Sequence, residues 1–534
     1  MTQVKSGMSR GAGRDFTNWD RKFLLLIVIL CLVRLLFLFV SPLELSPDEA
    51  YYWDWSRHLA FGYYSKPPMV AWLIWLSTHL LPQTEFGVRF PAVLLNFFTT
   101  LGIFLLARRM AGARAGLLAA LSYSVTVGSA VSGYIMTIDA PLLCFWIWTL
   151  YFFWRARESE LGKGARKALA LWALSGLFCG LALLSKQTSV ALSGACALFF
   201  ILSFGPLRAI RQKGAYVFFG IQLLVLVPFL LWNYNHGWIT FVHTAHHFEQ
   251  AEKTYLFRLD TFLELIGSQA GLITPIIFIS LFCASLWAVR EIIKSGRNSD
   301  QWQERVSQLV LLVLSGPLPL LAVFILSLKQ RVNANWPAPF YLSLSVLLGL
   351  WLVMEGVSGK SAPFPGCRRL YRPGIILGAV LVAILYALPF LFVHTPLSGS
   401  KIDPTVRLRG WKALASKADA FLSSFPDPER TFIVARRRQS ASELAFYMAG
   451  KPRVYRWNGF DRKIKSQYEL WPSPIDKKGW DALVVVEEGK GLDGLEQCFR
   501  SFFPLGKIRV RLGRDRLRLF NVYEGRGLKK WASR

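Results

Sequence analysis

The chain has 534 residues, of which 53% are apolar, and it carries a formal net charge of +29. Several apolar runs are long enough to cross the hydrocarbon core of a bilayer, which takes about 20 residues each, so a single soluble domain is excluded. The Lys and Arg residues cluster in short segments between these runs. This pattern is typical of a polytopic membrane protein and argues against a nucleic-acid partner.

The apolar runs predict a polytopic α-helical membrane protein with about eleven spans. We expect the spans at residues 23–40, 89–107, 115–134, 140–154, 168–185, 188–204, 216–232, 266–289, 306–328, 337–355 and 374–393. The first run follows five basic residues and has no small-residue cleavage site near its end. We therefore interpret it as an uncleaved span and not as a signal peptide.

Basic residues are distributed unequally between the two sides of this arrangement. The segments at the N-terminus and after the second, fourth, sixth, eighth and tenth spans are rich in Lys and Arg, whereas the alternate loops contain few. By the positive-inside rule the basic set is cytoplasmic. We therefore predict a cytoplasmic N-terminus and a C-terminal domain on the outward side of the membrane.

A short apolar run at 67–81, bounded by prolines, interrupts this scheme. If the run crossed the membrane, every later loop would change sides and the charge bias would be lost. We expect it to lie in the membrane interface instead, within outer-loop helices at about 41–87. The transmembrane catalytic domain is then predicted at 1–394.

From residue 395 the hydropathy changes to that of a soluble domain. We expect a small α/β domain at 395–534 with strands at 431–435 and 482–487, a helix at 441–449 and a hairpin at 508–522. The domain contains a basic run, Arg436 to Arg438. Both an anionic partner, such as a membrane surface or an acceptor, and an ordinary solvated face remain open for this run.

Three acidic residues lie at the outer ends of predicted spans. Asp48 and Glu49 follow the first span, and Asp139 lies at the next outward turn. Each is compatible with a role as a helix cap. Carboxylates that converge at a membrane surface can also divide the work of a general base and of an orienting group or metal ligand. We therefore select Asp48, Asp139 and Glu49 as candidate catalytic residues.

Four cations share the same predicted face, namely Lys66, Arg331, Lys186 and Lys329. A single lysine at the end of a span commonly extends its ammonium group to the interface without further function. Several cations beside a carboxylate cleft suit an anionic leaving group, because preplaced charges stabilise a departing phosphate. We select these four residues as candidate ligands of a donor phosphate.

Aromatic and imidazole side chains surround these charges. His243 and His247 are spaced to share one helical face and, with a carboxylate, suit a divalent metal; interfacial hydrogen bonding is the alternative. No other cofactor is predicted, since no nucleotide-binding loop appears in its required context. The predicted substrate cavity is lined by Tyr51, Tyr52, Tyr63, Tyr64, His236, His243, His247 and Asn335.

Seven short motifs follow one another along the chain: Pro47-Asp48-Glu49-Ala50-Tyr51-Tyr52-Trp53, Gly62-Tyr63-Tyr64-Ser65-Lys66-Pro67-Pro68, Val88-Arg89-Phe90-Pro91, Thr137-Ile138-Asp139-Ala140-Pro141, Leu183-Leu184-Ser185-Lys186, Leu231-Trp232-Asn233-Tyr234-Asn235-His236-Gly237-Trp238 and Arg331-Val332-Asn333-Ala334-Asn335-Trp336-Pro337. Together they resemble the bacterial members of the dolichyl-phosphate-mannose protein mannosyltransferase superfamily. The lipid A aminoarabinose transferases are relatives of these proteins. The superfamily has the GT-C fold, in glycosyltransferase families of the 39 and 83 type.

The resemblance implies an inverting transfer of a hexosyl or pentosyl group from a polyprenyl-phosphate donor to a hydroxyl or phosphate acceptor. Asp48 matches the acid usually taken as catalytic, Asp139 matches the second outer-loop acid, and Lys66 matches the lysine thought to contact the donor phosphate. A glutamate precedes this lysine in the aminoarabinose transferases, whereas this chain has Ser65. Specificity for aminoarabinose, and metal binding of that type, are therefore not implied.

The favoured acceptor is an envelope glycolipid such as lipid A or its core, because the outer domain is basic; a protein hydroxyl is the alternative. A lipid-linked-sugar transporter or flippase is the rival from another class, and it is expected to carry charges deep within its spans. Arg34 is the one clear case in this sequence. A binding or assembly module would not account for the motifs of the membrane part.

Overall fold

The computed structural model describes residues 16–162, 164–249, 257–295, 300–354, 365–396, 398–400, 402–461, 463–513 and 516–531. Within these ranges a helical part extends to His394, and a small sheet domain follows it. The helices of the first part are α1 Asn18–Val40, α2 Pro47–Ser56, α3 Met69–Leu80, α4 Glu85–Ala111, α5 Ala113–Ser124, α6 Val127–Ser132, α7 Asp139–Leu161, α8 Ala165–Leu183, α9 Val190–Phe204, α10 Pro206–Ala209, α11 Lys213–Asn235, α12 Ile239–Glu249, α13 Leu259–Ile273, α14 Pro275–Lys294, α15 Asp300–Ser315, α16 Pro317–Ser327, α17 Phe340–Val353, α18 Pro365–Arg369 and α19 Tyr371–His394.

Eight helical segments among the described residues are long and apolar enough to cross a membrane. They are Asn18–Val40, Glu85–Ala111, Ala165–Leu183, Gln187–Phe204, Lys213–Asn235, Pro275–Lys294, Glu304–Ser327 and Gly366–Val393. The chain is therefore a multi-pass membrane protein, as predicted. The apolar helix α17 is shorter, with 14 residues, so the total of eleven crossings stays a prediction.

Three of the spans predicted as continuous are broken. The span predicted at 115–134 divides into α5 and α6, the one at 266–289 into α13 and α14, and the one at 306–328 into α15 and α16. At the second break Thr274 has φ 74° and precedes Pro275. A residue before proline is disfavoured in the α-helical region, and proline has no N–H for the helix ladder, so the helix ends there.

The outer-loop region 41–87 contains α2 and α3. Helix α3 has 12 residues, too few to cross a bilayer. It buries Val70, Ala71 and Ile74 completely, while Leu80 on its other side is 76% exposed. This confirms the short helix predicted for the apolar run; its position in the membrane interface stays a prediction.

The sheet domain contains one five-stranded sheet of order β2-β1-β3-β5-β4. Strands β1 and β3 pair in parallel, as do β1 and β2, whereas β5 is antiparallel to both β3 and β4. The two predicted strands, the helix and the hairpin are all present, the helix starting three residues earlier than predicted. The elements are α20 Trp411–Leu422, β1 Thr431–Ala435, α21 Arg438–Tyr447, β2 Val454–Arg456, β3 Asp481–Glu487, β4 Phe499–Arg511 and β5 Leu517–Leu528.

The sheet domain packs directly on α2. Trp53 is 1% exposed, and its ring meets that of Phe446 on α21 at 4.9 Å between centroids. The backbone N–H of Leu45 donates to the Tyr447 hydroxyl at 2.7 Å. Buried residues of α2 and of the sheet domain belong to one continuous core. This core fixes α21 beside the first turn of α2. The division of the chain into two domains between residues 394 and 395 stays a prediction.

Candidate functional site

Helix α2 presents Asp48 in its first turn. The Ser46 hydroxyl accepts a hydrogen bond from the Glu49 N–H at 3.3 Å, and the Glu49 carboxylate accepts one from the Ser46 N–H at 2.9 Å. Pro47 occupies the first helical position, where its missing N–H costs nothing. This capping box defines the start of the helix. It leaves the Asp48 side chain 58% exposed.

Glu49 points away from the surface. Its two oxygens accept from Nε and Nη2 of Arg89 at 2.8 and 2.9 Å, and Oε1 also accepts from the N–H of Met136 at 3.0 Å. The Glu49 and Arg89 side chains are 0% and 1% exposed. A carboxylate held by this many donors ties α2 to α4 and to the segment before α7. The arrangement gives Glu49 a structural task and does not support the catalytic role predicted for it.

Asp48 forms an ion pair with the sheet domain. Nη1 of Arg438 donates to Oδ1 of Asp48 at 2.8 Å, and the guanidinium lies over the Tyr51 ring at 4.6 Å from its centroid. Burial alone would lower the pKa of Arg438, but the charge of Asp48 raises it. The sequence left open whether Arg438 meets an anionic partner or lies on a solvated face. The structure adds that its neighbour is the leading catalytic candidate.

Asp139 is held between two membrane segments. Nζ of Lys186 donates to Oδ1 at 2.7 Å, and Nδ2 of Asn335 donates to Oδ2 at 2.7 Å. The side chains of Asp139 and Lys186 are 12% and 6% exposed. Each oxygen of this carboxylate thus accepts one of these hydrogen bonds, and the arrangement suits Asp139 to orienting Lys186.

Lys66 lies close to both carboxylates. Burial and the like charge of Lys186 lower the pKa of Lys66, while Asp139 and Asp48 raise it in part. Among the described residues the structure records no ion pair for Lys66, so its ammonium is available to an anion. Tyr52 lies near the same charges, since burial and then Asp48 and Asp139 raise its pKa. The sequence-selected residues Asp48, Lys66, Asp139 and Lys186 thus form one cluster.

A pocket of about 240 Å³, which we call the outer pocket, opens beside Asp48. Lys66 and Arg438 contribute its charged groups, as does Lys465 from the sheet domain. Its remaining lining includes four predicted cavity residues: Tyr51, Tyr52, Tyr64 and His243. The pocket therefore combines two cations from the sheet domain with the carboxylate and lysine of the membrane part.

A second cavity, of about 300 Å³, lies among the membrane helices. We call it the membrane cavity. Asp139, Asn335 and Gln269 line it, together with apolar and small residues of the broken spans, including Thr126 and Ile273. Irregular backbone at membrane depth is tolerated where it borders a cavity, which gives the breaks beside Thr126 and Ile273 a physical reason.

The third cavity, which we call the arginine pocket, also borders Asp48 and has a volume of about 630 Å³. Its cations all come from the segment after the last membrane helix: Arg407, Arg437, Arg438 and Arg518. Asp48 and Glu487 are the acidic residues that line it. Asp48 and Arg438 line both this pocket and the outer pocket, so the two cavities meet at their ion pair.

The other selected residues lie elsewhere. Tyr63 is fully buried and its hydroxyl donates to the carbonyl of Trp55 at 3.1 Å, which contradicts its predicted place in the cavity wall. His236 stacks on Trp232 and lines none of the three cavities. Arg331 is 73% exposed and pairs with Glu264. Lys329 lines none of these cavities, and the side chain of His247 is outside the described residues.

The carboxylates at this site do not fit a divalent metal. Arg438 already pairs with Asp48, and Lys186 with Asp139. A metal between them would have to displace these cations and to bind beside Lys66, whose charge would oppose it. Within the described part of the chain no three His, Cys, Asp or Glu side chains converge as a metal site. We therefore derive no step through a metal; the ligand pair His243 and His247 stays a prediction.

Sequence reasoning missed Lys465 and Arg518 as parts of the site, and it missed Arg89 as the partner of Glu49. Lys465 and Arg518 lie more than 400 positions after Asp48 in the chain. The basic composition of the outer domain was the available signal, but it does not say which cations face the membrane part. Asn335, in contrast, was part of the seventh motif. The structure shows that its side chain donates a hydrogen bond to Asp139.

Sequence comparison finds similar proteins that are described as glycosyltransferases. The profile of the family described as dolichyl-phosphate-mannose-protein mannosyltransferase matches residues 65–232. The lipid A galacturonosyltransferase RgtD of Rhizobium johnstonii is 30% identical over 336 residues, which cover 62% of this chain and 66% of that protein. The undecaprenyl phosphate-alpha-4-amino-4-deoxy-L-arabinose arabinosyl transferase of Pseudomonas aeruginosa is 30% identical over 351 residues, covering 64% and 59%. The match thus spans less than two thirds of the length of either relative.

Structural comparison finds neighbours over almost the whole chain. ArnT from Cupriavidus metallidurans bound to undecaprenyl phosphate has a TM-score of 0.60 with 17% identity, covering 95% of this chain and 98% of that one. The apo oligosaccharyltransferase of Archaeoglobus fulgidus has a TM-score of 0.51 with 12% identity, covering 87% and 69%. At these identities the likeness establishes the fold, including the sheet domain after the membrane helices.

Proposed function

We infer that this chain, which belongs to the GT-C glycosyltransferases, moves a single hexosyl or pentosyl group from a polyprenyl-phosphate donor to an anionic envelope glycolipid. One observation carries this proposal: Asp48 lies where the outer pocket, with Lys66, meets the arginine pocket. A transferase must hold donor and acceptor on either side of its base, and this arrangement supplies a separate cavity for each.

The outer pocket suits the phosphosugar head of the donor, and the membrane cavity suits its lipid chain. The wall of the membrane cavity is mostly apolar, which fits a polyprenyl chain, and its outer end carries Asp139 and Asn335 beside Lys186. The phosphate of a donor in this position would approach Lys66 and Lys186. The structural neighbour from Cupriavidus metallidurans binds undecaprenyl phosphate, which supports a donor of this chemical class.

The chemistry requires little beyond these groups. The acceptor oxygen attacks the anomeric carbon from the side of Asp48, the new glycosidic bond forms with inversion, and the bond from that carbon to the phosphate oxygen breaks. Asp48 takes the proton of a hydroxyl acceptor, or orients an acceptor that is already a phosphate anion. Lys66 stabilises the negative charge that the departing phosphate gains, so no general acid is needed.

The arginine pocket suits the acceptor. Four arginines face two acidic side chains there, so the cavity has an excess of positive charge. Guanidinium groups bind phosphate and carboxylate through paired hydrogen bonds. The phosphate groups of a glycolipid such as lipid A fit this chemistry better than a neutral protein hydroxyl. RgtD acts on lipid A, which supports the same class.

Arg331 and Lys329 are proposed as secondary ligands of the donor phosphate. Their loop also contains Asn335, which holds Asp139, so the loop borders the outer end of the membrane cavity. If Lys66 and Arg331 hold one phosphate, Lys66→Ala and Arg331→Ala together should lose less free energy than the sum of the single losses. Additive losses would remove Arg331 from the donor site.

The same face of the protein is proposed to lie outside the inner membrane, with the sheet domain in the periplasm and the N-terminus in the cytoplasm. The unequal distribution of Lys and Arg between loops supports this orientation. A reporter fused after residue 534 that is active only in the periplasm is the expected result. A reporter active only in the cytoplasm would place the site on the wrong side for an envelope acceptor.

A reconstituted assay tests the function directly. Purified protein in liposomes is given undecaprenyl-phosphate donors of several hexoses and pentoses together with lipid A or a hydroxyl-rich peptide, and products are identified by mass spectrometry. We expect one sugar to be added to lipid A and none to be added by Asp48→Asn. Sugar on the peptide alone would identify a protein glycosyltransferase. Movement of donor across the bilayer without any product would identify a transporter.

A further inference from the structure

A separate cleft lies in the sheet domain, and the transfer chemistry above does not use it. It has a volume of about 360 Å³ and lies between the end of β2, with the turn that follows, and the segment 463–474. We call it the aromatic cleft. Five aromatic side chains line it: Tyr455, Trp457, Tyr468, Trp471 and Trp531. Trp471 and Trp531 are partly exposed, so their rings are accessible from the cleft.

A polar network lies among these rings. Nη1 of Arg456 donates to Oε1 of Glu469 at 2.6 Å, and Nη2 donates to Oδ1 of Asn458 at 3.2 Å. Asn458 in turn donates to the carbonyl of Lys463 at 3.0 Å. Nε of Arg456 is buried and has no hydrogen-bond partner among the described residues. These hydrogen bonds hold the polar side chains of the cleft wall in place from several sides.

The charges of the aromatic cleft balance, unlike those of the arginine pocket. Arg456 and Lys463 are its cations, and Asp461 and Glu469 are its anions, among the described lining residues. A site for a free phosphate would be expected to carry an excess of positive charge. A balanced set of donors and acceptors beside flat rings is instead suited to hydroxyl groups on an otherwise apolar ring. Sugars have this combination, with C–H faces that pack on aromatic rings and hydroxyls at the edge.

One segment separates the aromatic cleft from the outer pocket. Lys465 and Ser466 line the outer pocket, while Tyr468 and Trp471 line the cleft. The N–H of Gln467 between them donates to the Tyr51 hydroxyl at 2.6 Å. The segment is therefore fastened to α2, and the two cavities share a wall.

Tyr468 strengthens this connection. Its ring stacks on Tyr51 at 5.6 Å between centroids, and its hydroxyl donates to Asp54 of α2 at 2.7 Å. A ligand in the cleft thus contacts a residue that packs against the wall of the outer pocket. Such a ligand would be held at a fixed position relative to Asp48.

We propose that the aromatic cleft is a saccharide-binding subsite for the acceptor, and that it holds a sugar unit of the glycolipid that does not react. The inference rests on the proposed function, because it assumes an acceptor that contains several sugars. The arginine pocket then recognises the charged part of the acceptor and the cleft recognises its saccharide. The KM for an acceptor with a longer saccharide is therefore lower than the KM for an acceptor with a truncated one.

Saccharide binding is measured on the full-length protein in detergent micelles, without donor or lipid. The probes are maltoheptaose and the delipidated oligosaccharide released from envelope glycolipid by mild acid, and the readouts are intrinsic tryptophan fluorescence and saturation-transfer NMR. The test variants are Trp471→Ala, which removes one ring of the cleft, and Trp471→Phe, which keeps a smaller ring. Phe503→Ala is the control, since this aromatic residue is 45% exposed on β4 of the same domain and does not line the cleft.

We expect at least one probe to bind the wild type and the control equally. The dissociation constant should rise about ten-fold in Trp471→Ala and less in Trp471→Phe. The KM for a long-saccharide acceptor should rise in the same order, with an unchanged kcat and an unchanged KM for truncated lipid A.

Absence of probe binding to the wild type, or equal binding by wild type and Trp471→Ala, would overturn the subsite. Binding of a proline-rich or other peptide in the cleft in place of both probes would overturn it as well. The proposed function is tested separately. If the wild type binds the probes but transfers no sugar, the saccharide subsite stands and the assignment as a transferase is wrong. Transfer without probe binding keeps the transferase assignment and overturns the cleft.

Discussion

Arg438 donates to Asp48 across 390 positions of the sequence, with 2.8 Å between Nη1 and Oδ1. The pair joins the sheet domain to the first turn of α2, and both residues line the outer pocket and the arginine pocket. The sheet domain therefore contributes side chains directly to the candidate catalytic site. The arginine also offers an anionic acceptor a partner beside the proposed base.

Replacing Asp48 with Asn should abolish transfer without unfolding the protein. The substitution keeps the size and hydrogen-bonding ability of the side chain but removes the basic oxygen, so we expect kcat to fall by about 10² to 10⁴. Membrane insertion and thermal stability should change little, because the side chain is 58% exposed. Asp260→Asn, at an exposed acid in the first turn of α13, is the control. Near-normal turnover in Asp48→Asn would reduce Asp48 to a structural cap.

Arg438→Gln should raise the KM for an anionic acceptor by roughly ten- to hundred-fold. This factor corresponds to the free energy that a hydrogen bond to a charged group usually contributes. The KM for the donor should stay nearly constant, because Lys66 is the cation proposed for the donor phosphate. Arg430→Gln is the matched control, as this exposed arginine of the same domain lies over Trp480. Steady-state kinetics with both substrates varied separates the two constants. An equal rise in both would assign Arg438 to the general integrity of the site.

Combining Arg438→Gln with Asp48→Asn tests whether the two residues act as a unit. Residues in direct contact show interaction energies, whereas distant ones add. We expect the double variant to lose less activity than the product of the single losses. Full additivity would mean that the ion pair has no part in transfer.

The activity of the protein should decline at alkaline pH because Lys66 loses its proton. Burial and the charge of Lys186 lower the pKa of Lys66, so the ammonium is lost at a lower pH than in a free lysine. The charged form is the one that holds phosphate, and kcat/KM for the donor should therefore fall as pH rises through this lowered pKa. Lys66→Arg should move the decline to higher pH, since a guanidinium keeps its proton. The control Lys507→Arg, at an exposed lysine, should leave the pH dependence of kcat/KM unchanged. If Lys66→Arg also left it unchanged, Lys66 would not be the group whose proton is lost.

Glu49→Ala should lower the stability of the folded protein without a direct effect on the transfer step. It would leave Arg89 as an unpaired charge in the interior, a loss of about 3–5 kcal/mol. We expect a marked fall in the melting temperature in detergent. Glu264→Ala, which breaks an exposed pair with Arg331, should cost less than about 1 kcal/mol. A Glu49 variant with wild-type stability and no turnover would return Glu49 to the catalytic residues.

Glu443 on α21 predicts a pH dependence of stability. The carboxyl is completely buried and has no hydrogen-bond partner in the part of the chain that the structure describes. Burial, followed by the charges of Glu44 and Glu49, raises its pKa well above the ordinary value. The folded state then binds a proton that the unfolded state releases, so stability falls as pH rises above the unfolded pKa. Glu443→Gln should stabilise the protein at neutral pH and much less at pH 4. Glu488→Gln, at an exposed glutamate paired with Lys507, should show no such difference; a pH-independent effect of Glu443→Gln would contradict this account.

Local patterns were sufficient for most of the fold. Apolar runs of sufficient length predicted the membrane helices, since hydropathy and length depend only on neighbouring residues. Alternation and turn residues predicted β1, β3 and the final hairpin. The breaks at Thr274 and at Gly316 were missed although prolines follow both, because apolar composition continues through them.

The sequence by itself determined the class of the protein, the short helix after the first span and four members of one charged cluster, namely Asp48, Lys66, Asp139 and Lys186. Only the tertiary structure decided how the adjacent acids Asp48 and Glu49 differ: one faces two cavities, and the other is buried against Arg89. Neighbours on a helix point about 100° apart, so a single step along the chain separates the two environments. The partners Arg438, Asn335 and Lys465 come from distant segments, and their positions depend on how the sheet domain and the membrane helices pack together, which no local pattern contains.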